Sequence, residues 1–511
     1  MAHQDIEVTE LTVAQVQDGF ARGAFSAESL AEAFLDHIAR LNPRLNAIIF
    51  RNDGALADAL VIDARRRAGE ALGPLAGVPV VVKDTMDMAG FPSTGGWSLL
   101  YSKTGGIDLM PGTDSPVVAR LRAAGAVILG KTNVPVLSAS GTHANNSWAG
   151  PTLNAAAPDL VPGGSSAGTA TAVAASMAVL GLAEETGGSI QNPASAQGLV
   201  GIKPSFGLVP NAGVMPLASQ RDVVGPIGRC VRDAALALDV LAGFTMEDPK
   251  TVAGVGNIPE GGYASGLSGT ALSGRRLGLY GPGWRDQPLS AETAALYARA
   301  QEEIRGRGAA LVPDPFVGSG FAGLRQPVAE EYPFDARGLE SAPHDMQRYL
   351  ERMGPKAALR AFAAFAEATS AQDAFAPGGV LHYLHRLPGF AAALADPSVP
   401  PPMPEFIAAR AAYRRIFDAV MAAHGLDALV LPQMRAELPA LHGGELIQET
   451  TVSEINIAGL PGVTVPAGFY ASGAPFCLMF VGRMWSEATL LALAHDYETA
   501  TRHRRAPGLA A

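Results

Sequence analysis

Cysteine is almost absent from this 511-residue chain: Cys230 and Cys477 are the only two. That excludes a disulfide framework and a zinc ribbon, and leaves two buried, inert thiols as the plain reading. Basic residues are also in deficit. Lys and Arg number 38 against 48 Asp and Glu, for a net charge of −10, and no basic run exceeds Arg65-Arg66-Arg67 or Arg502-His503-Arg504-Arg505. Nucleic-acid binding needs a basic footprint to neutralise phosphate, so that class is set aside. Charge of either sign is sparse, at 17% against 48% apolar residues, which excludes disorder as the dominant state. Long apolar runs are lacking too. The best uncharged stretch, Ala167 to Ala183, falls short of the ~20 residues of a membrane span and is mostly Ala, Gly, Ser and Thr. It reads as a small-residue helix buried inside the protein. The N-terminal MAHQDIEVTELTVAQV lacks the basic-then-apolar order of a signal peptide. A cytoplasmic protein with no membrane and no nucleic-acid partner is expected.

What is abundant is glycine, 58 residues, and proline, 38. Together they exceed an average usage of about 12% and call for many turns and close backbone approaches. Between those breaks the chain alternates helix and strand. Thr12 and Ser26 are candidate N-caps of helices within residues 8–70. Leu75 to Lys83 and Ala126 to Leu129 are short β-branched runs of the buried-strand type, and Ser115 can cap the helix between them, with Gly125 at its end. Residues 203–242 read as loop, then helix from Val231 to Leu241. Further strands are expected at 276–280, 427–432, 462–466 and 476–482, with helices at 291–307 and 487–501. Residues 320–425 read as mainly helical, broken by the Pro-rich DPSVPPPMPE at 396–405. The alternation predicts an α/β fold with a largely internal sheet.

Three motif matches fail on physical grounds. Gly125 to Thr132 fits the phosphate-loop pattern, but its centre, Ala126-Val127-Ile128-Leu129, is a buried strand that cannot turn its N–H groups to a phosphate. Gly164-Ser165-Ser166-Ala167-Gly168 fits the nucleophile elbow, yet Ala157 to Gly163, with two prolines, cannot form the interior strand an elbow requires. His382 and His385 lie three apart on an expected helix, but no third metal ligand stands in a recognisable place.

Three other segments cohere. Lys83 ends an apolar strand, where desolvation favours the neutral amine. Gly163-Gly164 precede Ser165-Ser166 and the small-residue helix. Glu185-Thr186-Gly187-Gly188-Ser189 places glycines before a serine, leaving successive N–H groups free to converge on an anion.

Together these segments resemble the amidase signature family. Ser165 and Ser189 are 24 residues apart, as are that family's paired serines. Asn192-Pro193-Ala194, Gly198 to Val209, Asp222 to Ile227 with Val231 to Ala235, and Asn456 to Pro461 with Pro466-Ala467-Gly468 are similar to its other marks. The resemblance is strong over about residues 25–245 and moderate over 425–500. It implies a three-layer α/β/α fold, with a large mixed central sheet covered by helices and a mainly helical variable insertion. The expected organisation is N-terminal helices at 1–70, the signature core at 71–245, a variable substrate-facing region at 246–425, and closing strands and helix at 426–511.

The resemblance also implies roles. Ser189 would be the nucleophile, Ser165, beside a cis peptide, would relay its proton, and a neutral Lys83 would accept it. Backbone N–H groups of Thr186, Gly187, Gly188 and Ser189 would form the oxyanion hole. No metal and no cofactor are implied, and the partners would be a small amide-type substrate and water, with a homodimer left open. Departures from the family pattern are Glu185 for Asp, Gln191 for Arg, and Val136-Leu137 where Glu-Phe is usual; Glu185 and Gln191 could still share a hydrogen bond, and Ser138 to Gly141 would line the altered pocket wall. Tyr332, Phe334, Met346, Tyr349, Met353, Phe362, Phe365 and Phe375 are more often core than pocket; if they face the site they favour apolar or aryl-containing amides, anilides, carbamates or esters. The alternative is the glutamine-hydrolysing subunit of an aminoacyl-tRNA amidotransferase.

Overall fold

A computed structural model describes residues 6–329 and 332–509. Eleven strands build one sheet: β1 (Ile48–Arg51), β2 (Pro79–Lys83), β3 (Val127–Thr132), β4 (Leu180–Glu185), β5 (Val200–Lys203), β6 (Val223–Gly228), β7 (Arg276–Leu279), β8 (Ala310–Val312), β9 (Ala428–Pro432), β10 (Gly462–Phe469) and β11 (Pro475–Val481). Their spatial order is β1-β3-β2-β4-β6-β5-β10-β11-β9-β7-β8. The sheet is mixed: β3, β2 and β4 run parallel, as do β8, β7 and β9, and the other neighbours are antiparallel. Every residue of β2 to β6, β9 and β11 is buried. Burial on both faces is why these strands are continuous apolar runs rather than alternating ones. A large mixed sheet covered by helices is the expected architecture.

Local signals act largely as read. Thr12 and Ser26 each accept from the backbone N–H three residues on and complete a capping box, with Gln15 and Ser29 reaching back. Ser115 occupies the N-cap position of the helix Pro116–Ala123 but makes no capping bond, and its hydroxyl is buried without a partner. Pro116 at the first helical position has no N–H and a preset φ, so this helix starts without the serine's help.

Several stretches differ from the expectation. Ile48–Arg51, within residues 8–70 read as helices, forms β1 beside β3. The small-residue helix spans only Ala167–Ala174; from Leu180 the chain becomes β4, paired with β2 on one side and β6 on the other. Ladder pairing overrides the helix-compatible composition there. Residues 223–228, read as loop, form β6 with Pro226 inside it, opposite Leu182; a central proline is a poor strand signal because it cannot donate to a ladder. His382 and His385 lie on a 3-10 turn, His382–Arg386, and both imidazoles contact the carbonyl of Phe375. Among the described residues, no helix is long and apolar enough to cross a membrane.

The aromatic and Met side chains of residues 332–390 gather with Trp97, Leu100, Leu137 and Met215 in one apolar cluster apart from the sheet core. Met346, Tyr349, Met353, Phe362, Phe365 and Phe375 are buried in it, and Tyr332 and Phe334 pack at its edge.

Candidate active site

The parallel pair β2 and β4 sets the site. Val82 stands opposite Leu182, so both strands deliver their last residues to one end of the sheet. Carboxyl ends of parallel strands are where open α/β sheets bind ligands. β4 then runs into the loop 186–189. The helix Ala167–Ala174 packs on the same strands, with Thr169 Oγ1 donating to the Leu182 carbonyl at 3.1 Å, and this brings the loop before it to Lys83.

Lys83 is fully buried. Its Nζ lies 2.6 Å from Ser165 Oγ and 2.6 Å from Glu184 Oε1. The Gly164–Ser165 peptide is cis, as the family resemblance implies. Ser138 Oγ donates to the same Glu184 oxygen at 3.1 Å. Burial pushes the Lys83 pKa below its ordinary value; the charge and hydrogen bond of Glu184, then the charges of Asp222 and Glu185, act against that shift. Glu184 is the contact that sequence reasoning missed. The available signal was a second acid directly before Glu185 at the end of a strand that is otherwise apolar.

Neighbouring residues on a strand point to opposite faces. Glu184 turns to Lys83, and Glu185 turns to the loop and the helix beyond it. Glu185 Oε2 accepts from the backbone N–H of Ile190 at 2.8 Å and of Gln191 at 3.1 Å. Its Oε1 accepts from the Gln191 side-chain amide and, at 2.7 Å, from Asn456 Nδ2. The expected Glu185–Gln191 hydrogen bond is therefore present. On the other side of the loop, Thr186 Oγ1 donates to Asp222 Oδ1 at 2.5 Å, and Arg221 Nε donates to the Thr186 carbonyl at 3.2 Å. Gly188 has φ +94, a backbone conformation that a side chain would strain, and a Cβ there would press on Asn192 Nδ2 at 2.9 Å. Ser189 ends this braced loop and is 6% exposed.

Of the other expected site residues, Ser138 reaches the Lys83 network through Glu184. Gly141 joins the two serine loops: its carbonyl accepts from Gly164 N–H at 2.9 Å and from Asn192 Nδ2 at 3.3 Å. A cleft of about 490 Å³ opens beside Asp222, with Lys250, Asp345, Arg348 and Arg352 among its charged walls. Arg352 is paired there with Asp87 and Glu247, and Lys250 with Asp248.

The amidase family model matches residues 29–491. A glutamyl-tRNA(Gln) amidotransferase subunit from Moorella thermoacetica is 32% identical over 99% of each chain. The protein of the same name from Cereibacter sphaeroides is 34% identical over 97% of this chain and 98% of its own. Among solved structures, peptide amidase from Stenotrophomonas maltophilia superposes with a TM-score of 0.82 at 33% identity, covering 98% of both chains. This chain belongs to the amidase signature family.

Proposed function

We propose that the chain cleaves the C–N bond of a carboxamide through an acyl-enzyme on Ser189. The observation that carries this reading is the buried contact of 2.6 Å between Lys83 Nζ and Ser165 Oγ, the two relay groups that the serine–serine–lysine pattern requires. Ser189 Oγ attacks the carbonyl carbon and its proton passes through Ser165 toward Lys83. The backbone N–H groups of Thr186, Gly187, Gly188 and Ser189 receive the oxyanion, held in place by the Glu185 and Arg221 anchors. The amine leaves with the returned proton, and water repeats the sequence on the ester.

For the substrate, the relatives support glutamine, hydrolysed to feed ammonia to an aminoacyl-tRNA amidotransferase. Their likeness runs the length of both chains. The aromatic residues of the variable region, which pointed to an apolar or aryl amide, pack instead in a core of their own, so that argument loses its weight. A free-standing amidase acting on a peptide-type amide is the second reading, favoured by the peptide amidase superposition. Both release ammonia from a primary carboxamide.

The substrate that is turned over, and whether partner subunits are needed, separate the readings. The chain is assayed on glutamine with and without amidotransferase partner subunits, on C-terminally amidated peptides, and on a panel of anilides, carbamates and esters, with Ser189→Ala as control. Glutaminase activity that appears with the partners supports the first reading, and turnover of amidated peptides by the chain alone supports the second. Failure of every substrate sinks the hydrolase assignment.

A further inference from the structure

We propose that Arg221 determines substrate specificity: its third guanidinium nitrogen, Nη2, receives a carboxylate carried on the acyl half of the amide. The inference rests on the reading of Ser189 as nucleophile and names the class of substrate that reaches it.

Arg221 is a buried charge without a bonded partner of opposite sign. It is 2% exposed, and its three hydrogen bonds all go to main-chain carbonyls: Nε to Thr186 at 3.2 Å, and Nη1 to Asp335 at 2.8 Å and Arg337 at 3.1 Å. Among the described residues Nη2 donates to none, and no carboxylate is hydrogen-bonded to the guanidinium. A charge taken out of water is costly unless it is paired.

The acids around it are spent elsewhere. Asp335 uses both oxygens on Arg337 and on the backbone N–H of Gln326. Glu340 accepts from the Gly338 N–H at 2.6 Å. Asp222 is pushed up to about 8 by burial and by the charge of Glu184, so it holds a proton at neutral pH. Burial disfavours the Arg221 charge, and the charge of Asp335 does most to offset it.

The free nitrogen lies beside the loop that ends at Ser189. A Cβ placed on Gly187 would fall 3.7 Å from Arg221 Nη2 and 3.7 Å from Val452 Cγ1. Those are ordinary contact distances, so a side chain would fit. Gly188 requires glycine for its φ of +94, whereas Gly187 has no left-handed φ. The glycine at 187 therefore leaves open a space that a side chain would fill, directly in front of Nη2. An acyl chain whose carbonyl oxygen is held by the same loop passes this space. The low exposure of Arg221 is no bar to a substrate that must reach Ser189, itself 6% exposed.

A guanidinium N–H in such an enclosed place forms a charge-assisted hydrogen bond with a carboxylate. An amide without that group leaves the buried donor unpaired, which is how a site of this kind rejects it. Glutamine carries a carboxylate on its acyl half; a plain alkyl or aryl amide does not.

The test is protection of Ser189 against an uncharged fluorophosphonate, which reads occupancy of the site whether or not the amide is turned over. The monoamides of succinic and glutaric acid are compared with 4-methylpentanamide and 5-methylhexanamide, in which an isopropyl group replaces the carboxylate. For the parent, the better anionic amide is expected to halve the labelling rate at a concentration lower than its neutral counterpart's by roughly tenfold or more, the effect of one charged hydrogen bond. In Arg221→Gln that ratio is expected to fall toward one. Any loosening of the loop by the lost carbonyl bonds acts on both amides alike and cancels in the ratio. Arg221→Lys keeps a charge and guards against a Gln variant that fails to fold, but it has one nitrogen in place of the fork; its ratio is expected to fall as well. Equal protection by the two amides in the parent, protection by neither, or a parent-like ratio in either variant overturns the proposal. A parent protein that no fluorophosphonate labels refutes Ser189 as nucleophile, a failure distinct from a labelled enzyme without the preference.

Discussion

Asn456 Nδ2 donates to Glu185 Oε1 across 2.7 Å, joining the end of β4 to the helix Ser453–Ala458, 271 residues further along the chain. The same carboxylate holds the backbone N–H groups of Ile190 and Gln191, so one fully buried side chain ties the loop that ends at Ser189 to a distant element. Four donors converge on its two oxygens.

Glu185→Gln turns one of those acceptors into a donor that faces donors. A hydrogen bond to a charged group is worth about 1.5–3 kcal/mol, and each ~1.4 kcal/mol is tenfold in rate. The variant is expected to lose roughly tenfold to a hundredfold in kcat while staying measurably above Ser189→Ala. Steady-state kinetics on any accepted amide checks this; a Glu185→Gln enzyme as inactive as Ser189→Ala shows that the loop depends on the charge itself.

The adjacent serines separate cleanly. Ser166 stands at the N-cap position of the helix Ala167–Ala174 without capping it, and its hydroxyl makes one long bond, to the Glu184 carbonyl. Ser166→Ala is expected to keep fluorophosphonate labelling near the parent rate. Ser189→Ala abolishes it. Ser165→Ala and Lys83→Met slow it by about 10²–10⁴, the usual contribution of positioned proton transfer. Mass spectrometry of the labelled peptide reads the outcome, and loss of label in Ser166→Ala alone would return the nucleophile elbow to consideration.

What was legible in the chain follows from how local each signal is. Lys83 ends an apolar run and the glycine pairs stand directly beside the serines; each alone reads as a surface charge or an ordinary turn, and it is the three segments read together with their flanking motifs that point to a site. Glu184 was overlooked because its partner is 101 residues away; the second acid in an otherwise apolar run signals a buried charge but not which group it meets. β6 escaped notice because Pro226 argues against a central strand, and only pairing with β4 and β5 overrides that. The aromatic residues of 332–390 were ambiguous for a related reason: helical spacing says that a side chain is buried, not what it is buried against.

That last ambiguity is testable at Phe365, which is 2% exposed and packs edge-on to Trp97 with ring centroids 6.0 Å apart. As a core residue its truncation costs about 3–5 kcal/mol. Phe365→Ala is expected to lower the thermal unfolding midpoint by several degrees and leave the KM for the accepted amide near the parent value. A raised KM with an unchanged midpoint would put Phe365 against the substrate instead.

Asp222 makes stability depend on pH with a definite sign. Its carboxyl, ordinarily at 3.8, is pushed up to about 8, first by burial and then by the charge of Glu184. Between those values the folded protein keeps a proton that the unfolded chain releases. The folded state therefore loses stability as pH rises from about 4, and the loss levels off above about 8, where the native carboxyl ionises too. Asp222→Asn stays neutral throughout. Its amide oxygen still faces the N–H groups of Leu217 and Ala218, and its amide nitrogen faces Thr186 Oγ1. The variant is expected to outlast the parent against urea at pH 8, with the difference shrinking at pH 5. A parent midpoint that falls no more steeply than the variant's over that interval would show that Asp222 is already ionised in the folded protein.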